Sequence, residues 1–499
     1  MTDRRRAVRG TAMIAAVLLL AAAACTGGDD AEPEAEPEPE PVAWEFHTRP
    51  DLTPPLIDVE TTDAGESASV SSGDDLVLLA PKDQEEENAP MNGPVIVDAE
   101  GDPVWVHPLG DTRWSYDLRV QRYRGEPVLT WWQGDTHPYG YGEGEFVLMD
   151  RSYQVIDTVT TPGTHADFHD FTLTDEGTAL MISYPRVEHD LSDIGGATDG
   201  YLRDCVIHEI DVATGKVVFE WSFLDHIPLD ASKTTVEAGE GESGTKEAPF
   251  DPFHVNSVTE DGPDALLVSA RNTHAVYRVD RRTGNLDWIL GGADSDFEMT
   301  GGSTFAWQHD AERQQDGTIT LFDNEAAPPV GDESRGLRLA LDTREMTARV
   351  VTEYLPPDGR LADSQGNLEV RDNGQVFIGW GSVPSYSQYA SDGELLQDAT
   401  LAGGISYRAY RSAWVGRPQE PPAFLLDDGT AYVSWNGATE VDSWRFVAGY
   451  DEKSAKEVET VPRQGFETSA RMPDEPYIAA QALDESGKVL ATARPGSWP

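Results

Sequence analysis

Cysteine is nearly absent from this chain: only Cys25 and Cys205 occur in 499 residues. Crosslinks cannot carry the fold, and if Cys25 is modified no intrachain disulfide can form at all. Cys205, in "YLRDCVIHEI", heads an apolar strand and reads as a small core residue rather than a nucleophile. Positive charge is scarce as well. With 37 Lys and Arg against 89 Asp and Glu, the formal net charge is −52, and such a surface repels nucleic acid phosphate and anionic lipid. Neither is expected as a partner, and the surplus reads as adaptation to a salty exterior. An anionic substrate would then need a cationic pocket of its own. Helical periodicity is almost missing, and beyond the N-terminus no run approaches the ~18 apolar residues of a membrane-spanning helix. Histidine stops early: none of the 11 lies after position 309.

The N-terminus is read apart from the fold. "MTDRRRAVRG" is basic, "TAMIAAVLLLAAAA" is apolar, and Cys25 follows a run of small residues. This is the layout of a signal peptide over residues 1–25. A Cys at the cleavage point predicts lipoprotein processing, with Cys25 acylated and the chain anchored to the outer face of the cytoplasmic membrane. The next stretch, residues 26–45, contains "TGGDDAEPEAEPEPEP", an acidic Pro/Glu-rich tether with nothing to bury. The lipid is the only membrane contact expected.

From there a strand pattern repeats. Units open with a strand, turn at a corner such as "TDEGT", "EDGPD", "QDGT" or "RDNGQ", return as an apolar strand, and close with a second hairpin such as "IHEIDVATGKVVFEW" or "VYRVDRRTGNLDWIL". Four short strands per unit is the sequence form of a propeller blade. The units run over about 66–112, 113–162, 163–224, 250–298, 303–355 and 362–402, the first being degenerate ("LVLLAPK" with "PVIVDAEGDPVWV"). The expected fold is all-β: a six-bladed β-propeller within 46–415. After residue 418 the pattern changes to that of a fibronectin III-like β-sandwich over 418–499, with a seventh blade as the alternative.

Three histidines share one register position in this repeat, in "HDFTLTDEG", "HVNSVTEDG" and "HDAERQQDG". The first strand of a blade is innermost, so this position lines the channel or its mouth. Around the ring it reads Asp117, His169, His254, His309 and Asn367. Ends of the second strands fall nearby: Tyr184 and Arg186, Arg271 and Asn272, Asp323 and Asn324. Arg271 is either the cation for a tetrahedral oxyanion or half of a salt bridge to Asp310 or Asp323.

Two chemistries fit three His and one Arg. Neutral imidazoles could hold Zn²⁺ and activate a water, although a guanidinium is a poor neighbour for a metal and no compact ligand spacing is present. The alternative, preferred here, is an imidazole nucleophile attacking sulfur or phosphorus, with a second His handling the leaving group's proton and Arg holding the oxygens. No metal or other cofactor is expected on that route. A third reading is a non-catalytic surface receptor, which the tether and extra domain would suit. Trp131, Trp132, Tyr139, Trp307, Trp380 and Tyr386 could stack on a phenyl ring, and each equally reads as blade packing.

The segments "GTHADFHDFTLTDEGTALMISY", "PFDPFHVNSV", "DWILGG" and "FAWQHDAERQQDGTITLFDN" resemble the bacterial arylsulfate sulfotransferase family, in its actinobacterial and fungal-type branch. The resemblance spans most of residues 100–415. It implies an enzyme that transfers a sulfuryl group from an aryl sulfate to a phenol through a sulfohistidine, without a nucleotide sulfate donor. By that resemblance His309 in "WQHDA" is the nucleophile, His254 and His169 accompany it, and Arg271 in "SARN" binds the sulfuryl group. Asn256, Asn272, Asn324 and Trp307 are the expected substrate contacts. Periplasmic members carry an N-terminal β-domain and a disulfide close to the site, and this sequence shows neither. Oligomeric state is left open.

Overall fold

The computed structural model describes residues 42–70, 75–82, 90–110, 113–163, 165–236 and 243–497. The expected signal peptide, Cys25 and most of the tether lie outside the described residues. Within the described residues the fold is a β-propeller, with helix confined to Asp63–Ala68 and three short 3-10 turns.

Six sheets follow one another along the chain, antiparallel but for Glu298–Thr300, which adds a parallel edge to the fifth. The second is Trp114–Tyr123, Glu126–His137, Tyr141–Met149 and Val155–Val159. The third runs from Phe171–Leu173 outward to Lys216–Ser222, and the fourth from Val255–Glu260 to Leu286–Gly291. The fifth starts at His309–Arg313 and the sixth at Asn367–Val370. Each inner strand packs against the next, and the sixth returns to the first, so the ring closes.

The first sheet departs from the expected layout. Its inner strand is Ile405–Ala413, a segment placed beyond the last repeat, paired antiparallel with Asp75–Lys82. "LVLLAPK" is therefore a second strand, not a unit's opening strand. At the other end, Ile57–Thr61 adds an outer strand to the sixth sheet. Segments more than 300 residues apart thus hydrogen-bond on both sides of the seam. A ring of local hairpins has no other means of joining its ends, and the loop-closure entropy of so long a span grows only logarithmically with length.

The apolar residues explain the ring. In Asp75–Lys82, Val77 and Leu79 face the sixth sheet while Leu78 and Ala80 face the second. Period-two alternation buries both faces of a sheet sandwiched between neighbours, which is why these strands read as continuous apolar runs. Comparable cores fill each remaining interface, such as Trp132, Phe146, Phe171 and Met181 between the second and third sheets.

The axis is closed by Arg408, fully buried on Ile405–Ala413. Its guanidinium reaches Asp170 at 3.0 Å, Asp117 at 3.4 Å, Asp310 at 3.5 Å and the Asn256 carbonyl at 3.0 Å. One side chain from the first sheet therefore ties down the second, third, fourth and fifth.

After residue 418 two sheets of three and four strands, from Ala423–Asp427 to Val489–Ala493, share a core around Phe424, Val433, Trp444, Phe446 and Ile478. They dock on the first sheet. The Asn436 amide accepts from Val106 N–H and donates to its carbonyl, each at 2.9 Å, and so pairs like a backbone strand.

Candidate active site

The inner strands place the histidines. His169 lies two residues before Phe171–Leu173, His254 immediately before Val255–Glu260, and His309 opens His309–Arg313. Bulges follow in the second, fourth and fifth sheets, at Tyr116/Arg119, Val255/Ser257 and His309/Glu312. Left-handed backbone accompanies them at Asp117 (φ 58°), His254 (φ 51°) and Asp310 (φ 56°). In both "HD" pairs, with a bulge in the fifth sheet and without one in the third, the carboxylate turns to Arg408.

The second sheet stands one residue out of the expected column, with Tyr116 matching His309 and Asp117 matching Asp310 at equivalent bulges. Asp117 stands with Asp170 and Asp310 in the Arg408 cluster, not with the imidazoles. Its place at the mouth is taken by Tyr116, stacked on Phe168 at 4.3 Å. The Asn367 amide is spent on Ala409, accepting from its N–H at 2.9 Å and donating to its carbonyl at 2.8 Å. The three histidines do converge: the His169 and His254 rings meet edge to face at 4.8 Å, and both act electrostatically on His309.

His309 is buried and its tautomer is set by Asn324. Asn324 Nδ2 donates to the carbonyls of Ala362 and Gln365, each at 3.0 Å, which turns Oδ1 toward His309 Nδ1 at 2.8 Å. An amide oxygen only accepts, so Nδ1 carries the hydrogen and Nε2 the lone pair. Nε2 accepts a long contact, 3.2 Å, from the Gln365 N–H. Burial, then the charge of Arg271, holds the imidazolium form well below the usual histidine range.

His254 and His169 each lean on a carboxylate. His254 Nδ1 is 2.6 Å from Asp251 Oδ2, and its N–H donates to Oδ1 at 3.0 Å. Burial works against ionisation of Asp251, but the His254 charge and hydrogen bonds outweigh it and the carboxyl stays below its ordinary range. His169 Nδ1 bonds Asp167, whose other oxygen accepts from Gly142 N–H at 2.7 Å. Burial raises Asp167 to about 7, and burial followed by the His254 charge keeps His169 neutral. Gly140 closes over His254: a Cβ there would stand 3.3 Å from Cε1.

Arg271 makes neither of the salt bridges considered from sequence. Asp323 pairs with Arg335 at 2.9 Å, and Asp310 with Arg408. Arg271 instead donates to Asn272 Oδ1 at 3.0 Å and to the Asp363 carbonyl at 3.2 Å, lies 4.8 Å over the Trp307 ring, and leaves Nε buried without a partner. Burial lowers it to about 10, so it remains a cation at neutral pH. Asn272 also donates to the Asp251 carbonyl at 2.8 Å. Asn256 sits deeper, donating to the Gln308 carbonyl at 2.7 Å, with its Oδ1 buried and unpaired.

Among the aromatics, Trp131, Trp132, Trp380 and Tyr386 are fully buried between sheets. Tyr139 is 57% exposed at the tip of the hairpin that carries Gly140, and Tyr184 lies 6.0 Å from the His254 ring. Cys205 is buried and burial drives its thiol up, away from nucleophilic use. No cluster of three or more His, Cys, Asp or Glu among the described residues has geometry to hold a metal ion.

Sequence reasoning missed Asp167, Asp251, Gln365 and Lys82. The two Asp residues lie two and three positions before His169 and His254, a spacing legible in "DFH" and "DPFH". Gln365 carries no local signal. Lys82 ends the strand "LVLLAPK" as Arg271 follows "ALLVSA", and that correspondence could have found it.

Similar folds occur among solved structures, all remote. A protein of unknown function from Bacteroides caccae matches with TM-score 0.41 and 12% identity over 68% of this chain and 99% of its own. A virginiamycin B lyase from Staphylococcus aureus matches with TM-score 0.34 and 9% identity over 76% and 97%. The Cps50 (Swd1) β-propeller domain of Myceliophteria thermophila matches with TM-score 0.34 and 12% identity over 65% and 94%. Likenesses this distant carry no argument about this chain. No curated protein matches significantly. Residues 119–401, more than half of the chain and all three histidines with Arg271, match the family Arylsulfotransferase (ASST), and the chain belongs to that family.

Proposed function

We propose that this protein transfers a sulfuryl group from an aryl sulfate to a phenolic acceptor through a sulfohistidine at His309. The observation that carries the reading is the tautomer lock: Asn324 holds the proton on Nδ1 and leaves the Nε2 lone pair in the field of Arg271.

The step balances with the residues at hand. Arg271 binds the sulfuryl oxygens, with its free Nε as a third donor site. Nε2 of His309 displaces the Gln365 N–H contact and forms the N–S bond as the O–S bond breaks. The electron pair leaves on the phenolate oxygen, which takes a proton from the His254 imidazolium, oriented by Asp251. The acceptor phenol returns that proton to His254, attacks sulfur, and the N–S pair goes back to Nε2. His169, neutral and buried, packs edge to face against His254. The anchor expected at Cys25 places the reaction on the outer face of the membrane.

The test is intact mass after incubation with 4-nitrophenyl sulfate. Wild type gains one sulfuryl group on His309 and releases 4-nitrophenol, and His309→Ala gains none. Wild type without adduct or turnover across a broad donor and acceptor panel refutes the reading.

A further inference from the structure

The site's known cation has a counterpart that the mechanism above does not use. Arg271 directly follows Ala265–Ala270, the second strand of the fourth sheet, and Lys82 is the last residue of Asp75–Lys82, the second strand of the first. In a closed ring of six the first and fourth sheets face each other across the axis. The inner strands run the same way around the ring, so both residues lie at the end that carries the histidines.

One short loop joins them to the nucleophile. The Asp363 carbonyl accepts from Arg271 at 3.2 Å, the Gln365 N–H donates to His309 Nε2 at 3.2 Å, and the Gln365 side-chain oxygen accepts from Lys82 Nζ at 3.1 Å. Gln365 is held in left-handed backbone (φ 68°). The following Gly366 has no room for a side chain, since a Cβ would come within 2.5 Å of Phe322. The loop is thus clamped in the one shape that touches Arg271, His309 and Lys82 together.

Among the described residues Lys82 has no ion-pair partner. It is 7% exposed, its amine lies 3.6 Å over the Tyr116 ring, and no carboxylate among the described residues is within ion-pair distance. Among the described residues its partners are the Gln365 side-chain oxygen and the Tyr116 ring, both neutral. A buried ammonium needs an opposite charge. Burial alone pushes Lys82 well below its ordinary range, and an arriving anion would provide the missing charge.

We propose that Lys82 is the second cation of the anion site, so that the sulfuryl oxygens are held on the axis between Lys82 and Arg271 as His309 attacks. Tyr116, beneath Lys82, then forms the aromatic floor on that side. The proposal rests on the sulfuryl-transfer reading for its ligand, and on the geometry of the loop 363–365 for its location.

Inorganic sulfate titrated into the whole protein by calorimetry is the test, on wild type, Lys82→Met, Lys82→Arg and Arg271→Met. The expected result is sulfate affinity at least ~10-fold weaker in Lys82→Met, substantially restored in Lys82→Arg, and weaker again in Arg271→Met. Melting curves establish that Lys82→Met folds. As a second measurement on wild type, sulfate should shield Lys82 from amine-reactive labelling read by peptide mass. Unchanged affinity in Lys82→Met, no sulfate binding in wild type, or labelling indifferent to sulfate overturns the proposal. A sulfohistidine adduct with unaltered sulfate affinity in Lys82→Met sinks this inference alone. Weakened sulfate binding with no adduct in wild type keeps the anion site and sinks the transfer chemistry.

Discussion

His309 Nδ1 lies 2.8 Å from Asn324 Oδ1, and the Asn324 amide is itself locked by two backbone carbonyls at 3.0 Å. A neutral amide thus does for His309 what a carboxylate does for His254: it fixes which nitrogen is free. In the proposed mechanism an amide orients the ring without adding negative charge that would favour the imidazolium, which cannot attack.

Asn324→Leu removes the acceptor and frees the tautomer. The rate of 4-nitrophenolate release in a single turnover should fall between ~10² and ~10⁴-fold, with KM little changed. Asn324→Asp keeps an oxygen at His309 but loses both donations to Ala362 and Gln365, and recovers only part of the rate. Equal rates in Asn324→Leu and wild type contradict the lock.

His254→Ala should discriminate donors by leaving group. 4-Nitrophenolate departs without a proton, so its release changes little, whereas phenyl sulfate turnover drops by ~10² or more. Plotting log rate against the phenol's pKa for a donor series gives a steeper slope in the variant. Parallel slopes would assign the proton to another residue.

Arg271→Met removes a positive neighbour of His309. Burial and then that charge hold His309 neutral below its ordinary range; with the charge gone protonation becomes easier, so the pKa rises. The acid limb of 4-nitrophenolate release moves to higher pH, on top of an overall loss from weaker sulfuryl binding. A limb at the same pH as wild type would mean that Arg271 does not act on His309.

Arg408→Met leaves Asp310 without its cation and Asp117 and Asp170 with Arg119 alone. Removing one partner of a wholly buried charge network costs ~3–5 kcal/mol, read as a lower urea midpoint at constant m. Arg417→Ala, which breaks an exposed pair with Glu440, serves as control and leaves the midpoint unchanged.

Much of the site was legible because a propeller is a local fold. Each histidine precedes its own strand and hairpin within one unit, so repeat register alone brings His169, His254 and His309 to one end. Register failed at Asp117, which matches Asp310 and not His309; Tyr116 holds the histidine position in the second sheet, and a change of residue type there hides the alignment. It failed again at the first sheet, whose inner strand comes from Ile405–Ala413; a seam between distant segments has no local pattern. Asp167 and Asp251 lie two and three residues before their histidines, but short spacing alone does not say that a carboxylate turns onto the ring.

Composition and periodicity settled the all-β class, the anionic surface, and three imidazoles and Arg271 near one mouth, because these depend on residue type and on contacts within a unit. The tautomer of His309, the contacts of Lys82 with Gln365 and Tyr116, and the closure of the axis by Arg408 depend on side chains from sheets far apart in the chain. Their partners are chosen by how the ring closes, and no stretch of sequence shorter than the whole propeller encodes that choice.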